Sequence, residues 1–531
     1  MDGDRRSLLK SAGVVGIFTL ISRIAGLIRD VLTSRAFGTG TAFSAFELAF
    51  RVPNLFRALF AEGALNAAFT PIYKEYLEKK DVERTAKILN ATTTLLSLVL
   101  AGLVMLGYIV SLGLRYFFTV SGRPGALFCN LLDIMMPYLL LVCLTGFLAA
   151  IQNTLEQFAV PALASTLLNL CWILGVLSLF FWPKIGIYAL AIAVLVSGFL
   201  QVGMQWLSLH MRGVRFRFDP DWRDPDLLRI MKLMLPVVIG LGVTQINFML
   251  DGVIAWYCVP TNTDVGGGNS VLFYANRLMQ FPLGVVGIAM GTAILPLLSK
   301  YAARGDKENF VASMNQAIRT TFFVSIPASA LMIVLARPIV ELVYMRGQFT
   351  EVSAERTTAV LICYTAGLWA YCALQIVTRA FYALQDTRTP MKLAFWRVAF
   401  NLTLNLTLVW FLWEAGIALA TAIAATVNLF LMMYILRARM GRIGGRAVML
   451  SGIRICVVTA LTCAAAVLVL RLLPSTHGTM VRLLRVIAPM ACGGVVFLGA
   501  CMASRLPEWQ EFLEAFWKRR KAKSAHQPTV T

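Results

Sequence analysis

Apolar windows of about 20 residues recur along nearly the whole sequence, separated by short loops, and this recurrence limits the fold more than any other feature. As a helix, such a window crosses the roughly 30 Å hydrocarbon layer of a bilayer. Inside hydrocarbon every backbone amide needs a partner from the chain itself, so segments this long and apolar fold as helices. Composition agrees. Of 531 residues, 58% are hydrophobic and 14% charged, with mean hydropathy +0.73, whereas soluble domains carry about 25% charged residues. The expected class is an all-α polytopic membrane protein with about fourteen transmembrane helices. They are expected near 11–37, 41–75, 88–117, 127–152, 159–182, 186–210, 230–258, 269–300, 315–345, 355–383, 391–413, 416–437, 450–472 and 482–503. The basic start MDGDRRSLLK leads into a helix that outruns a signal peptide and holds Arg23 and Asp30, so it reads as a retained first helix.

The net charge of +21 would suggest nucleic acid in a soluble chain. Here the positive-inside rule accounts for it, and no nucleic-acid partner is expected. The basic loops (Lys74 to Lys87, Arg212 to Lys232, Arg437 to Arg446) alternate with short neutral ones. An even number of spans then places both termini in the cytoplasm. No loop is long enough for a soluble domain. The longest carries VRFRFDPDWRDPDLLR, whose Asp-Pro pairs read as turns and whose end reads as an interfacial helix. The tail FWKRRKAKSAHQ is expected to lie on anionic lipid. The ten cysteines sit mostly in apolar helices without metal-ligand spacing and read as packing residues. His210, His477 and His526 are scattered, and no Ser-His-Asp set, zinc spacing or Walker loop appears.

The stretch Ser22 to Leu77 is apolar, yet it carries Arg23, Arg29, Asp30, Arg51, Arg57 and Glu62. An Arg or Asp at mid-membrane costs about 2.5–3.5 kcal/mol, so four cost roughly 10–14 kcal/mol. Such charges ordinarily mark a substrate or ion pathway. Arg23 and Asp30, seven apart, share a helix face, with Arg29 about 100° round. Pro53 and glycines 38, 40 and 63 interrupt the second helix, a break tolerated only where the freed backbone meets protein or water. The plain alternative is an internal Arg–Asp lock, but one acid beside several arginines leaves positive charge unexplained. Guanidinium offers paired donors to phosphate, which suits an anionic headgroup.

An internal repeat is also visible. A shift of about 225 residues lays Ala64 to Lys74 over Ala289 to Lys300, and about 229 lays Leu155 to Pro161 over Leu384 to Pro390, both in parallel. Two pseudo-symmetric six-helix lobes around a central cavity are expected: residues 1–220 (helices 1–6) and 221–440 (helices 7–12). A helix pair at 441–505 and a basic cytoplasmic tail at 506–531 follow. Glycines and Pro282 within Pro282 to Gly291 suit a bend in the eighth helix.

Three segments carry a resemblance. They are SR-x-x-G-x-x-RD followed by F-x-x-P-N-x-x-R-x-x-F-A-E-G-A, then NRLMQFPLGVVGIAMGTAILPLLSK from Asn276 to Lys300, then FYALQDTRTPMK from Phe381 to Lys392. Together they resemble the MurJ (MviN) lipid II flippase family, of the multidrug/oligosaccharidyl-lipid/polysaccharide exporter superfamily. The resemblance spans nearly the whole chain. It implies a transporter rather than an enzyme, moving undecaprenyl-diphosphate-linked peptidoglycan precursor from the cytoplasmic to the outer leaflet of the bacterial inner membrane by alternating access. It implies lipid II as substrate, with cell-wall synthesis or division machinery as further partners. It also implies that Arg23, Arg29, Arg57 and Arg277 hold the diphosphate in a central cavity, with Asp30 and Glu62 supporting or gating. Arg277, on the repeat-related eighth helix, is then expected opposite Arg57. Read alone, it is equally an arginine snorkelling from a helix end.

The chain departs from the family in acids. Ser44, Asn276 and Gln280 stand where relatives often carry acidic residues, which weakens the case for an Arg–acid gate at the outer mouth. Asp251, Asn401, Asn405 and Thr421 could supply oxygen ligands to a monovalent cation, as some relatives hold sodium. The competing reading is an interhelical hydrogen-bond network. No cofactor is expected; sodium or the membrane potential, at about 2.3 kcal/mol per charge per 100 mV, would drive the cycle. The alternatives are a flippase for another polyprenyl-linked oligosaccharide or a related multidrug exporter. The exporter would favour acids in its cavity. A polyprenyl-sugar membrane enzyme would need catalytic carboxylates and a larger outer loop, and a passive scaffold would not need mid-membrane arginines.

Overall fold

The computed structural model describes residues 2–120, 125–259, 267–441, 445–474, 478–504 and 506–510, with side chains from 16 onward except 17, 61, 62, 64, 66, 67 and 447. The helices are α1 (Asp2–Phe37), α2 (Thr41–Phe56), α3 (Leu65–Glu78), α4 (Val82–Val120), α5 (Ala126–Thr154), α6 (Ala159–Leu177), α7 (Tyr188–His210) and α8 (Pro225–Cys258). They continue as α9 (Gly268–Pro282), α10 (Ala289–Ala303), α11 (Lys307–Val334), α12 (Ala336–Val343), α13 (Glu351–Ala366), α14 (Leu368–Ala383), α15 (Arg388–Met440), α16 (Gly445–Leu472) and α17 (Thr479–Ala503). No strand occurs among the described residues. Eleven helical stretches among them are long and apolar enough to cross a membrane. The stretches carrying Arg23 to Asp30 and Arg51 to Glu62 are not in that set, as their charge requires. The chain is an all-α, multi-pass membrane protein.

Several expected helices are broken or joined. The second is α2 and α3 linked by π-helix over Arg57–Ala64, and the eighth is α9 and α10 linked by π-helix over Leu283–Ile288. The expected 391–413 and 416–437 run into one another as α15, kinked at Trp413 (φ 51°, ψ −132°). The expected 315–345 divides after Val334, leaving the short α12. The expected 355–383 divides at Gly367, where a Cβ would sit 2.8 Å from the Ala422 Cβ; the missing side chain admits α15. The DPDLLR segment opens α8 itself instead of forming a separate helix. Asp224 caps it, its carboxylate accepting from the amides of Asp226 and Leu227.

The chain divides into two compact units. Unit 1 holds 1–270 with 346–353, and unit 2 the remainder. In unit 1 the central helix is α5, which packs against α2, α3, α4 and α7. Its buried face runs through Leu131, Leu132, Met135, Tyr138, Leu139, Cys143, Phe147 and Ile151. In unit 2 the central helix is α14, packed against α10, α11 and α15. Its Ala370, Ala373, Ile376, Val377, Ala380 and Phe381 meet Leu298, Met314 and Ala425. Small residues on this face bring helices close, which is how packing stabilises helices in lipid. Leu506 and Glu508 are buried in unit 2, where Ser451 Oγ donates to the Glu508 carboxylate at 2.7 Å. The basic part of the tail, with His526, and the loop residue His477 lie outside the described residues.

Within unit 1, the loop before α8 and the α3–α4 turn are joined by charge. Arg84 makes a forked contact with Asp224 (2.7 and 3.0 Å) and a second with Asp226 (2.5 Å). Lys87 reaches Asp221 at 2.9 Å. The loop amides of Arg217 and Asp219 donate to Asn90 and Thr94 on α4. The Asp226 hydrogen bond, chiefly, raises the Arg84 pKa, and the Lys87 hydrogen bond lowers that of Asp221. Arg84→Ala should destabilise the start of α8 by about 1–3 kcal/mol, seen as lost hydrogen-exchange protection over 224–230. A lowered carboxylate pKa contributes stability above its unfolded value, so the wild-type clamp should persist at neutral pH and loosen only below about pH 4.

Candidate charged sites in the two units

In unit 1, α1 presents Arg29 to α6. Its Nε and Nη2 donate to Asp30 Oδ1 at 2.9 and 2.7 Å, and its Nη1 donates to Asn169 Oδ1 at 3.1 Å. The guanidinium lies over the Trp172 ring, 4.5 Å from the centroid. Trp172 Nε1 in turn donates to Thr33 Oγ1 at 2.9 Å. Arg29 is 7% exposed and Asp30 1%. A guanidinium is stable there only because carboxylate, amide and aromatic face replace water. Asp30 thus neutralises Arg29. Asn169 and Trp172, which complete the site, were not picked out in the sequence; Asn169 lies four residues after Ser165 and Trp172 three after Asn169, so they form a stripe on one face of α6.

Arg23, on the same helix, is exposed, and Arg57 is half-buried in the first turn of the π segment. Arg57 and Arg29 both act electrostatically on the buried Tyr138 hydroxyl of α5, which puts them in one neighbourhood. The side chain of Glu62 lies outside the described residues. A second polar cluster joins α2 to α8. Glu47 pairs with Arg51 at 2.7 Å, and Arg51 Nη1 donates to the Phe248 carbonyl at 2.8 Å. Asn269 donates to the Gly252 carbonyl at 2.9 Å, and Asn247 reaches Asp251 Oδ2 at 3.4 Å. Gly252 leaves room for Arg51, since a Cβ would stand 2.5 Å from Arg51 Nη1 and push the guanidinium aside.

Ser44 lies in a hydroxyl network. Its Oγ donates to Ser270 Oγ at 3.1 Å and accepts from the Ser270 amide at 3.0 Å. Ser270 Oγ donates to the Thr39 carbonyl, and Thr39 Oγ1 shares a 2.7 Å hydrogen bond with Ser353.

In unit 2, Arg277 is exposed on α9, between Asn276 and Gln280, whose side chains hydrogen-bond each other at 3.2 Å. Asn405 donates to Asn401 Oδ1 at 3.1 Å, and Asn401 donates to Thr421 Oγ1 at 3.3 Å. Three of the four expected cation ligands therefore converge across the two arms of α15, while Asp251 belongs to unit 1. No group of three or more His, Cys, Asp or Glu residues able to hold a metal occurs among the described residues. A pair not anticipated from sequence, Arg356 on α13 and Glu414 on α15 (2.6 Å, both buried), fixes the residue after the Trp413 kink.

The family model described as lipid II flippase MurJ matches residues 33–488. A "Probable lipid II flippase MurJ" from Vibrio cholerae is 34% identical over 441 residues, covering 80% of this chain and 82% of that protein. The "Lipid II flippase MurJ" of Burkholderia cenocepacia is 32% identical, covering 82% and 84%. Among solved structures, "Lipid II flippase MurJ, inward closed conformation" aligns with TM-score 0.74 and 26% identity over 92% of this chain and 98% of that one. An inward-facing multidrug resistance MATE family transporter of the MOP superfamily aligns with TM-score 0.66 at 16% identity, over 80% and 96%, a likeness of fold.

Asp30→Ala would leave the Arg29 guanidinium buried beside neutral partners. We expect a loss of about 3–5 kcal/mol, read as a large fall in thermal stability of the purified protein. Asp30→Ala with Arg29→Leu should recover most of it.

Proposed function

The chain belongs to the lipid II flippase MurJ family, and from that premise we propose how it carries out the family's task. It is a lipid II flippase, a transporter and not an enzyme. The observation that carries this is the family match across residues 33–488, in a chain whose helices bear arginines where an anionic headgroup must leave water. We place it in the bacterial inner membrane with both termini in the cytoplasm, as the basic loops require. The two charge-bearing spans near the N-terminus add to the eleven apolar stretches, and counting the two arms of α15 separately makes fourteen crossings.

The substrate is undecaprenyl-diphosphate-linked disaccharide-peptide, moved from the inner to the outer leaflet by alternating access. The lobes are 1–220 and 221–440, with 441–505 as an added helix pair beside which the lipid tail stays in hydrocarbon. Arg23, Arg29 and Arg57 of unit 1 and Arg277 of unit 2 serve the diphosphate. Arg23 and Arg277 are exposed, within reach of an arriving headgroup. Arg29 becomes a ligand when Asp30 yields it, so Asp30 takes the arginine back on release and resets the site. Glu62 has a gating role. Anionic lipids hold the basic tail, and cell-wall synthesis machinery receives the product.

The test is replacement of a resident lipid II flippase by this chain, tracking externally exposed lipid II. The wild type should restore exposure, and stably inserted Arg29→Ala or Arg277→Ala variants should lower it about tenfold or more, the effect of losing charged hydrogen bonds. Full rescue by both variants would remove the arginines from the site. A wild type that inserts well and leaves lipid II inside would refute the substrate.

Sodium at Asp251, Asn401, Asn405 and Thr421, or the membrane potential, drives the return of the cycle. In proteoliposomes, replacing sodium by choline should slow Asp251-dependent flipping, and Asp251→Asn should abolish the sodium response. If both leave the rate unchanged while an imposed potential alters it, the potential is the driver.

A further inference from the structure

A second concentration of arginines stands apart from the Arg29 cluster, where the short helix α12 packs against α17 in unit 2. Arg337 Nε contacts Glu341 Oε1 at 2.8 Å, one turn away on α12. Arg485 of α17 reaches the other oxygen, Oε2, at 3.9 Å. Arg482, three residues before Arg485 and so on the same face, donates through Nη1 to the Met345 carbonyl at 2.7 Å. Two guanidinium groups thus share a single carboxylate, with a third on the same face of α17 beside them. Arg485 keeps a further donor, Nε, that is buried without a hydrogen-bond partner. Burying such a donor costs free energy unless an acceptor arrives.

The surroundings say what kind of acceptor. Leu472, at the neighbouring end of α16, and Met480, Leu483, Leu484 and Ile487 of α17 are all exposed. In a membrane protein these side chains face hydrocarbon. A ligand here meets arginines at its head and lipid-facing leucines along its tail. Forked guanidinium donors suit phosphate oxygens. We propose that Arg337, Arg482 and Arg485 form a binding site for the phosphate-bearing headgroup of a membrane lipid. Its assignment to the outer leaflet rests on the topology proposed above; the binding itself does not. Arginines at that leaflet run against the positive-inside distribution, which a resident anionic headgroup accounts for. Tyr344, just beyond α12, connects the site to α9. Its ring lies 4.8 Å from that of Tyr274, and its hydroxyl donates to the Tyr274 carbonyl at 3.3 Å, one turn before Arg277.

Two lipids share this chemistry: a polyprenyl diphosphate and an anionic phospholipid. Native mass spectrometry of the purified full chain, titrated with polyprenyl diphosphate, phosphatidylglycerol or phosphatidylcholine, separates them. The Arg482→Gln/Arg485→Gln variant should bind the anionic lipid about tenfold more weakly. Glu341→Gln, which frees the shared guanidinium groups, should bind it about two- to fivefold more tightly, a gain that a purely structural role does not produce. If the glutamine pair fails to accumulate, Arg482→Lys/Arg485→Lys keeps the charge, loses the fork and should still weaken binding. Dependence confined to the diphosphate identifies a site for flipped substrate, and equal dependence for phosphatidylglycerol identifies a general phosphate-lipid site. Unchanged affinity in the Glu341 variant and in the double variants overturns the proposal. None of these readouts depends on transport, so failure here is distinguishable from failure of the flippase reading.

Discussion

A guanidinium group cannot stand in hydrocarbon without partners, and the way Arg29 is partnered organises the first unit. Asp30 supplies the countercharge, Asn169 an acceptor and Trp172 an aromatic face. Two of these three come from α6, so neutralising the charge also docks α6 on α1. Trp172 then extends the contact, since its ring meets Phe46 and Phe50 of α2 edge-on at 5.1 and 5.4 Å. Phe50 stacks on Tyr138 of α5 in turn. One buried charge is thereby tied to four helices. A change in its ionic partner acts on the packing that defines the unit.

The two halves of the chain repeat backbone devices as well as sequence. Left-handed residues recur in pairs about 225–229 residues apart: Lys80 with Gly305, Glu156 with Gln385, Gly186 with Trp413, and Gly213 with Gly441. The π segments starting at Arg57 and Leu283 keep the same register. At the Gly186–Trp413 pair the difference in bulk is largest. Where the first half uses Gly186, the second holds Trp413 in a conformation that bulky side chains resist. The adjoining Glu414 is anchored by Arg356, and Gly416 lets the returning arm pass, since a Cβ there would meet the Leu408 carbonyl at 2.4 Å. The kink is held by its neighbours despite its own preference.

Much of this was legible because hydrophobic length and proline position are local properties. The matched prolines at 71 and 296 revealed the repeat, and the apolar windows the spans. The π segments were not legible as such: an extra residue in a turn leaves no periodic trace, and the prolines and glycines at 53–63 and 282–291 marked irregular backbone without giving its kind. The arginines were legible as a class, because charge in an apolar run is conspicuous. Their partners were not. Asn169 and Trp172 look like ordinary residues of an apolar helix until α6 is laid against α1. Ser44 was noticed as a missing acid. Its role required the fold, which brings Ser270 and Thr39 to it and makes the contact neutral, hydroxyl to hydroxyl and hydroxyl to backbone.

The same reasoning identifies where unit 1 can yield. α8 is the least buried of the apolar spans, at 6% of its window. It is held at one end by Arg84 on Asp224 and Asp226, and at the other by Arg51 on the Phe248 carbonyl and Asn269 on the Gly252 carbonyl. Between these anchors lie Pro236, Gly240 and Gly242, and the Leu241 side chain fills the notch left by Gly63, where a Cβ would come within 2.0 Å of it. Polar anchors at both ends with small residues and a proline between them make the middle of α8 the cheapest place to bend. The notch faces the π segment that begins with Arg57. Bending α8 there withdraws Leu241 from the segment carrying that arginine, so backbone motion and the charge site are coupled through one leucine and one glycine.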